Sequence, residues 1–122
     1  MSRILVVDDQ EQVCIVLTEI LSKQCHEVQT ATTGEEAVDV LQMFSPDLVL
    51  LDLLMPGMDG MSVLAEVRRW NADIPVVILS GVEDDDTAEK AIFAGAVDYI
   101  TKPILSDQLN TVLEVHLFLH ES

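Results

Sequence analysis

The sequence has few basic residues, few cysteines and no long apolar run, and each shortage excludes a class of protein. Lysine and arginine number 6 against 22 aspartates and glutamates, so the formal net charge is -16 at pH 7. This charge argues against binding to nucleic-acid phosphates or anionic lipid. No apolar run approaches the roughly 18 residues of a membrane span. The first residues, MSRILVVDD, contain too few consecutive apolar residues for a signal peptide. We therefore expect a cytoplasmic protein whose partner is a protein or a cation.

The two cysteines, Cys14 and Cys25, lie in one segment with helical spacing. At a rise of about 1.5 Å per residue, a helix would hold them about 16 Å apart. That separation is too large for a disulfide. We expect both thiols to be reduced.

The chain has 122 residues, 49% of them hydrophobic, and no tract of Pro, Gly or Ser interrupts it. A chain of this length can bury about two thirds of the surface that its unfolded form exposes. We therefore expect one domain with one core over residues 1–122.

Short β-like segments alternate with segments of helical spacing along the chain. The predicted strands are Ile4 to Asp8, Val28 to Ala31, Leu48 to Leu51, Val76 to Ser80 and Val97 to Thr101. The predicted helices lie near residues 10–24, 34–44, 60–70, 85–95 and 106–119. Strict alternation of this kind predicts an α/β sandwich around a parallel sheet.

Polarity predicts the position of each strand in the sheet. The segments ILVV, LVLL and VVIL are apolar on both faces, as expected of central strands that helices cover on both sides. The segments EVQTA and VDYIT carry polar residues and suit the edges. In such sheets, ligands bind beyond the carboxyl ends of the strands, where the strand order reverses.

Polar residues stand at those carboxyl ends: Asp8 and Asp9 after the first strand, Asp52 after the third, Ser80 after the fourth and Lys102 after the fifth. Three carboxylates this close repel one another and require a cation. Oxygen ligands with room for water and phosphate favour Mg²⁺ over zinc or an all-protein calcium site. Lys102 would add a point-like positive charge suited to a phosphoryl group.

Five features, in order, resemble the receiver domain of bacterial two-component response regulators over the whole chain. They are Asp8-Asp9, Asp52, MPGMDG at 55–60, ILSG at 78–81, and Tyr99 followed by Thr101-Lys102-Pro103. The resemblance implies a flavodoxin-like, doubly wound (βα)5 fold, with three layers and strand order 2-1-3-4-5.

The resemblance also implies a site for phosphoryl transfer. Asp52 would be the phosphoacceptor, taking its phosphoryl group from a sensor histidine kinase or a phosphotransfer protein. Asp9, Asp52 and the backbone carbonyl of Leu54 would bind Mg²⁺, and Asp8 would act through water. Lys102 would pair with the phosphoryl group.

The remaining implied roles concern the response to phosphorylation. The Ser80 hydroxyl would bind a phosphoryl oxygen, Tyr99 would be the switch aromatic, and the Lys102-Pro103 bond would be cis. The fourth helix, fifth strand and fifth helix would form the face that changes. The last helix also carries more apolar residues than one buried stripe can hold, so we expect its end to pack against a partner, a second copy or an effector domain; these residues are Val115, Leu117, Phe118 and Leu119. Length alone leaves open whether such a domain follows.

Two apolar residues, Leu54 and Val82, flank the implied site. In receiver domains these positions tune the access of water to the phosphoryl group. Because neither side chain here can orient a water molecule, we expect slow self-dephosphorylation.

Other functions share part of this pattern. A Mg²⁺-dependent phosphohydrolase would use Asp52 as nucleophile, but such enzymes usually place a second Asp where this chain has Leu54. A flavodoxin-like nucleotide or flavin binder should show a Gly/Ser/Thr-rich phosphate loop, where this chain has DDQEQ. A pseudo-receiver would bind a protein without being phosphorylated. The leading interpretation is a signalling switch and not an enzyme with a separate substrate.

Overall fold

The computed structural model describes residues 2–53, 60–81 and 85–121, without the side chains of residues 85, 87, 88 and 118–121. The described strands are β1 (Arg3–Val7), β2 (Glu27–Ala31), β3 (Leu48–Asp52), β4 (Val76–Ser80) and β5 (Asp98–Thr101). The helices are α1 (Glu11–Lys23), α2 (Gly34–Phe44), α3 (Gly60–Trp70), α4 (Asp85–Phe93) and α5 (Ser106–Glu121). The predicted alternation is confirmed, with small differences at the ends of elements.

All strand pairs are parallel, and their order in the sheet is β2-β1-β3-β4-β5. The three strands predicted to be central, β1, β3 and β4, are central. Their apolar residues are buried on both faces because helices cover both sides of a doubly wound sheet. The chain reverses its direction of winding at β1, so the carboxyl ends of β1 and β3 lie side by side.

Two apolar clusters form the core, one on each face of the sheet. Side chains that alternate along each central strand point to opposite faces, so β1 contributes Leu5 to one cluster and Val6 to the other. The first cluster packs under α2, α3 and α4, and the second packs under α1 and α5. Each fully buried Leu or Ile contributes about 1.5–3 kcal/mol to stability. The three-layer arrangement holds the strand ends in fixed positions.

The predicted end of the first helix, near residue 24, is confirmed within one residue, but the helical spacing that links Cys14 to Cys25 does not extend to Cys25. Helix α1 ends at Lys23, and Cys25 has a left-handed backbone with φ of 67°. The N–H of Cys25 donates to Ser22 O, and the N–H of His26 donates to Leu21 O. These two bonds form a Schellman motif, in which glycine usually occupies the position of Cys25. Neither Cys14 nor Cys25 forms a disulfide within the described chain.

Helix α2 begins with a side-chain cap. The Thr33 hydroxyl accepts a hydrogen bond from the N–H of Glu36 at 3.1 Å, and the Glu36 carboxylate accepts one from the N–H of Thr32. The Thr33 cap is worth about 1 kcal/mol. Among the described residues, no helix has the length and apolar character needed to cross a bilayer.

Candidate functional site

Three carboxylates converge at the carboxyl ends of β1 and β3. Asp8 and Asp9 directly follow β1, and Asp52 is the last residue of β3. One carboxylate oxygen from each residue lies within 4.8 Å of those of the other two. Asp8 and Asp52 are buried, whereas Asp9 is exposed. Two of the three negative charges are thus removed from bulk water, which makes their repulsion strong.

Lys102 brings a positive charge to this cluster. Its Nζ lies 2.8 Å from Asp8 Oδ2 and 3.5 Å from Asp52 Oδ2. The backbone N–H of Lys102 donates to Ser80 O at 2.7 Å, which holds the residue at the carboxyl end of β4. The Lys102-Pro103 peptide bond is cis, as the resemblance implies.

The environment of Lys102 favours its charged form. Burial lowers the pKa of the ammonium, but the hydrogen bond to Asp8 and the negative charges of Asp52 and Asp8 outweigh that effect. The net result is a pKa above the ordinary lysine value. Lys102 therefore remains a cation at neutral pH.

One residue at this site, Gln10, was not found from the sequence. Its Oε1 accepts a hydrogen bond from Lys102 Nζ at 3.2 Å, and its backbone N–H donates to Asp8 Oδ1 at 2.9 Å. Glutamine has no distinctive sequence signal, and Lys102 lies 92 residues away along the chain. The only available signal was that Gln10 directly follows the acidic pair.

Cys14 lies beneath the acidic pair. Its Sγ donates to the backbone oxygen of Asp8 at 3.4 Å, and the side chain is buried. Burial, followed by the negative charge of Asp8, raises the pKa of the thiol to about 11. Cys14 is thus an unreactive thiol that supports the backbone of Asp8.

The helix that follows Asp52 begins with a glycine in close contact with the site. A Cβ atom at Gly60 would lie 2.3 Å from Leu53 Cα and 2.7 Å from the backbone oxygen of Asp52. The N–H of Gly60 also donates to Leu53 O at 3.2 Å. Only glycine fits here without displacing the backbone of Asp52.

The two residues predicted to respond to phosphorylation lie on neighbouring strands. Ser80 is the buried last residue of β4, next to β3 in the sheet. Tyr99 lies on the edge strand β5, in register with Ile78, and is 45% exposed. Leu54, Val82 and residues 55–59 lie outside the described residues.

The ligand atoms of the acidic cluster have the chemistry that Mg²⁺ prefers. All three clustered ligands are carboxylates, and the formal charge of the cluster stays at -2 when Lys102 is included. Hard oxygen ligands and surplus negative charge suit Mg²⁺. Asp9 is exposed and would remain accessible to an ion and its waters. The residues present therefore fit this ion.

Comparison with protein families matches residues 4–114 to the response regulator receiver domain. The regulatory protein AtoC of Escherichia coli (strain K12) is 35% identical over 113 residues, which cover 93% of this chain and 24% of AtoC. The crystal structure of NtrX from Brucella abortus has a TM-score of 0.94 and 36% identity, and the match covers 98% of this chain and 27% of NtrX. This chain therefore spans about a quarter of the length of these two relatives.

A shorter solved structure matches over nearly its whole length. The receiver domain of NtrX from Brucella abortus has a TM-score of 0.90 and 38% identity. The match covers 94% of this chain and 98% of that domain.

Proposed function

Because the chain belongs to the response regulator receiver domain family, we propose that it accepts a phosphoryl group on Asp52 from the phosphohistidine of a sensor histidine kinase or phosphotransfer protein. The observation that carries this proposal is the position of the Lys102 ammonium, within 3.5 Å of both the Asp8 and the Asp52 carboxylates at the carboxyl edge of the sheet. We place this exchange in the cytoplasm.

In the proposed step, a carboxylate oxygen of Asp52 attacks the phosphorus atom of the donor. The new O–P bond forms as the P–N bond breaks, and the electron pair of that bond stays on the donor ring nitrogen, which takes up a proton from water. The transition state spreads negative charge over three phosphoryl oxygens. Lys102 supplies positive charge at that point, and its raised pKa favours the protonated form.

Asp8, Asp9 and Asp52, with the backbone carbonyl of Leu54, would hold Mg²⁺, with Asp8 acting through water. When bound, the ion would neutralise charge on the phosphoryl oxygens. The chain's own part is to keep two carboxylates buried and hydrogen-bonded so that both remain in position. Gln10 N and Cys14 Sγ both donate to Asp8 and fix its place.

Phosphorylation of Asp52 would add about 1.5–2 negative charges, by analogy with other phosphorylated side chains. The Ser80 hydroxyl and Lys102 would bind the new oxygens, and Tyr99 on the adjacent strand β5 would change its environment. Differential contacts of this kind shift two-state equilibria by about 1–3 kcal/mol. A pre-existing active form would then become the major one.

The face formed by α4, β5 and α5 is the proposed output surface. It exposes Phe93 (92%) and Val115 (46%) together with Tyr99. We propose that it binds a second copy of the chain or an effector domain of a longer regulator. Light scattering before and after phosphorylation tests the first version, which a monomer under both conditions would contradict.

Leu54 and Val82 would set the lifetime of the phosphorylated form. Both are apolar and cannot orient an attacking water. The double variant Leu54→Asn with Val82→Glu should lose phosphate faster. An unchanged lifetime would contradict this part of the proposal.

The decisive experiment is the intact mass of the protein after incubation with acetyl phosphate and Mg²⁺. A gain of one phosphoryl group that is absent in Asp52→Asn supports the proposal. The matched control is Asp39→Asn, an equivalent change at an exposed position of α2, which should still be phosphorylated. Steady donor turnover without a gain in mass would indicate a phosphohydrolase, and neither result would indicate a pseudo-receiver.

A further inference from the structure

Gln10 closes a ring of polar contacts with the buried acid and the lysine. Its backbone N–H donates to one carboxylate oxygen of Asp8, at 2.9 Å, while the other oxygen lies 2.8 Å from Lys102 Nζ. The Gln10 side chain completes the ring by accepting from Lys102 Nζ at 3.2 Å. Gln10 is therefore tethered to the same carboxylate that holds the ammonium.

Acceptor side chains surround the Lys102 ammonium in this arrangement. Lysine carries three N–H donors, and among the described residues three acceptor side chains lie within 3.5 Å of Nζ: Asp8, Asp52 and Gln10. A phosphoryl oxygen that approaches Asp52 therefore competes with these acceptors for contact with Lys102.

Gln10 is the acceptor that is most easily exchanged. It is neutral and exposed, whereas Asp8 and Asp52 are buried carboxylates whose contacts with an ammonium are charge-assisted. A negatively charged phosphoryl oxygen outcompetes a neutral amide oxygen for the same N–H. Leaving either buried carboxylate without its cation would cost more.

We propose that Gln10 is a positioning residue that hydrogen-bonds the Lys102 ammonium before transfer. This hydrogen bond breaks during transfer to Asp52, and Lys102 then contacts the phosphoryl group. This role rests on the proposed function. Gln10 stabilises the state before transfer and contributes nothing to the transition state, so it slows phosphorylation.

Two substitutions at Gln10 should change the phosphorylation rate in opposite directions. Gln10→Met keeps the length of the side chain but removes the acceptor, so the rate at saturating acetyl phosphate and Mg²⁺ should rise about two- to tenfold, the range of one hydrogen bond. Gln10→Glu makes a charged acceptor, so the saturating rate should fall. Repulsion of the donor by the new charge would instead raise the half-saturating concentration, and the two effects are thus separable.

The effect should also depend on Lys102. In a Lys102→Met background, Gln10→Met should leave the residual rate unchanged, because the contact that it removes is already absent. Gln42→Met, an equivalent change on the exposed side of α2, is the control and should match the wild type. Both positions are exposed, so these variants should fold.

The outcomes separate this inference from the proposed function. If the wild type gains no phosphoryl group, the proposed function fails and the role of Gln10 fails with it. If the wild type is phosphorylated but Gln10→Met and Gln42→Met react at the same rate, only the role of Gln10 is overturned. Acceleration by Gln10→Met that persists in the Lys102→Met background would also overturn it.

Discussion

At the scale of single residues, the site depends on one ammonium among three carboxylates. Lys102 is held by Asp8 at 2.8 Å, and Asp8 is fully buried. Breaking a buried charge pair by removing one partner typically costs about 3–5 kcal/mol, because the other charge is left uncompensated. The contacts that we propose for phosphoryl transfer should therefore also determine how pH affects stability.

Stability should fall at alkaline pH through Lys102. Its pKa is raised in the folded protein, so its contribution is fully present below the unfolded lysine value of about 10.4 and is lost as pH rises through the folded value. Urea unfolding between neutral and strongly alkaline pH should show a smaller loss in Lys102→Met than in the wild type. Parallel curves for the two proteins would contradict this prediction.

A methyl group at Gly60 should destabilise the protein and disturb Asp52. Gly60→Ala places a Cβ 2.3 Å from Leu53 Cα, so the backbone must move, at a cost of about 1–3 kcal/mol. Urea unfolding measures the loss, and the rate of phosphorylation by acetyl phosphate should fall with it. Ala65→Ser, at an exposed position of the same helix, is the control. Equal stability of Gly60→Ala and the wild type would show that the backbone tolerates the change.

At the scale of elements, helix ends depart most from what periodicity predicts. Helical spacing continues beyond Lys23, yet α1 ends there in a Schellman motif with Cys25 in the left-handed region. Spacing reports which face of a segment is buried but does not report where its backbone turns. Glycine usually occupies the position of that turn, but here the residue is Cys25.

Cys25→Gly should therefore stabilise the protein. A non-glycine residue in the left-handed region costs about 1–2 kcal/mol, and glycine removes this cost. The greater conformational freedom of glycine in the unfolded chain cancels part of the stabilisation. We expect a net increase of about 0.5–1 kcal/mol in the free energy of unfolding, measured in urea. Cys25→Ala removes the thiol but keeps the Cβ and should give no such gain. An equal increase in both variants would assign the effect to the thiol.

At the scale of the whole molecule, the charge of -16 makes the protein responsive to any cation. General screening by salt acts over the entire surface, whereas the cluster of Asp8, Asp9 and Asp52 concentrates charge at one edge. General screening should stabilise the protein similarly with any salt of the same ionic strength, whereas a specific Mg²⁺ site should stabilise it more with a magnesium salt.

Magnesium chloride should raise the melting temperature more than sodium chloride at equal ionic strength. Site binding stabilises the folded state by about 1.4–2.7 kcal/mol as Mg²⁺ rises from about ten to about a hundred times Kd. The excess should shrink in Asp9→Asn and Asp52→Asn and persist in Asp39→Asn. Equal melting temperatures in the two salts would argue against the site.

The sequence alone determined the order of elements, the central position of β1, β3 and β4, and the strand ends at which polar residues stand. Apolar runs and periodicity indicate which residues are buried, because all residues on one face of a helix or strand share the same environment. Only the tertiary structure decided that Gln10 contacts Lys102, that Gly60 lies against Asp52, and that His116 pairs with Asp98. These contacts join particular atoms from separate segments, and their partners depend on how the sheet and helices bring distant strand ends together.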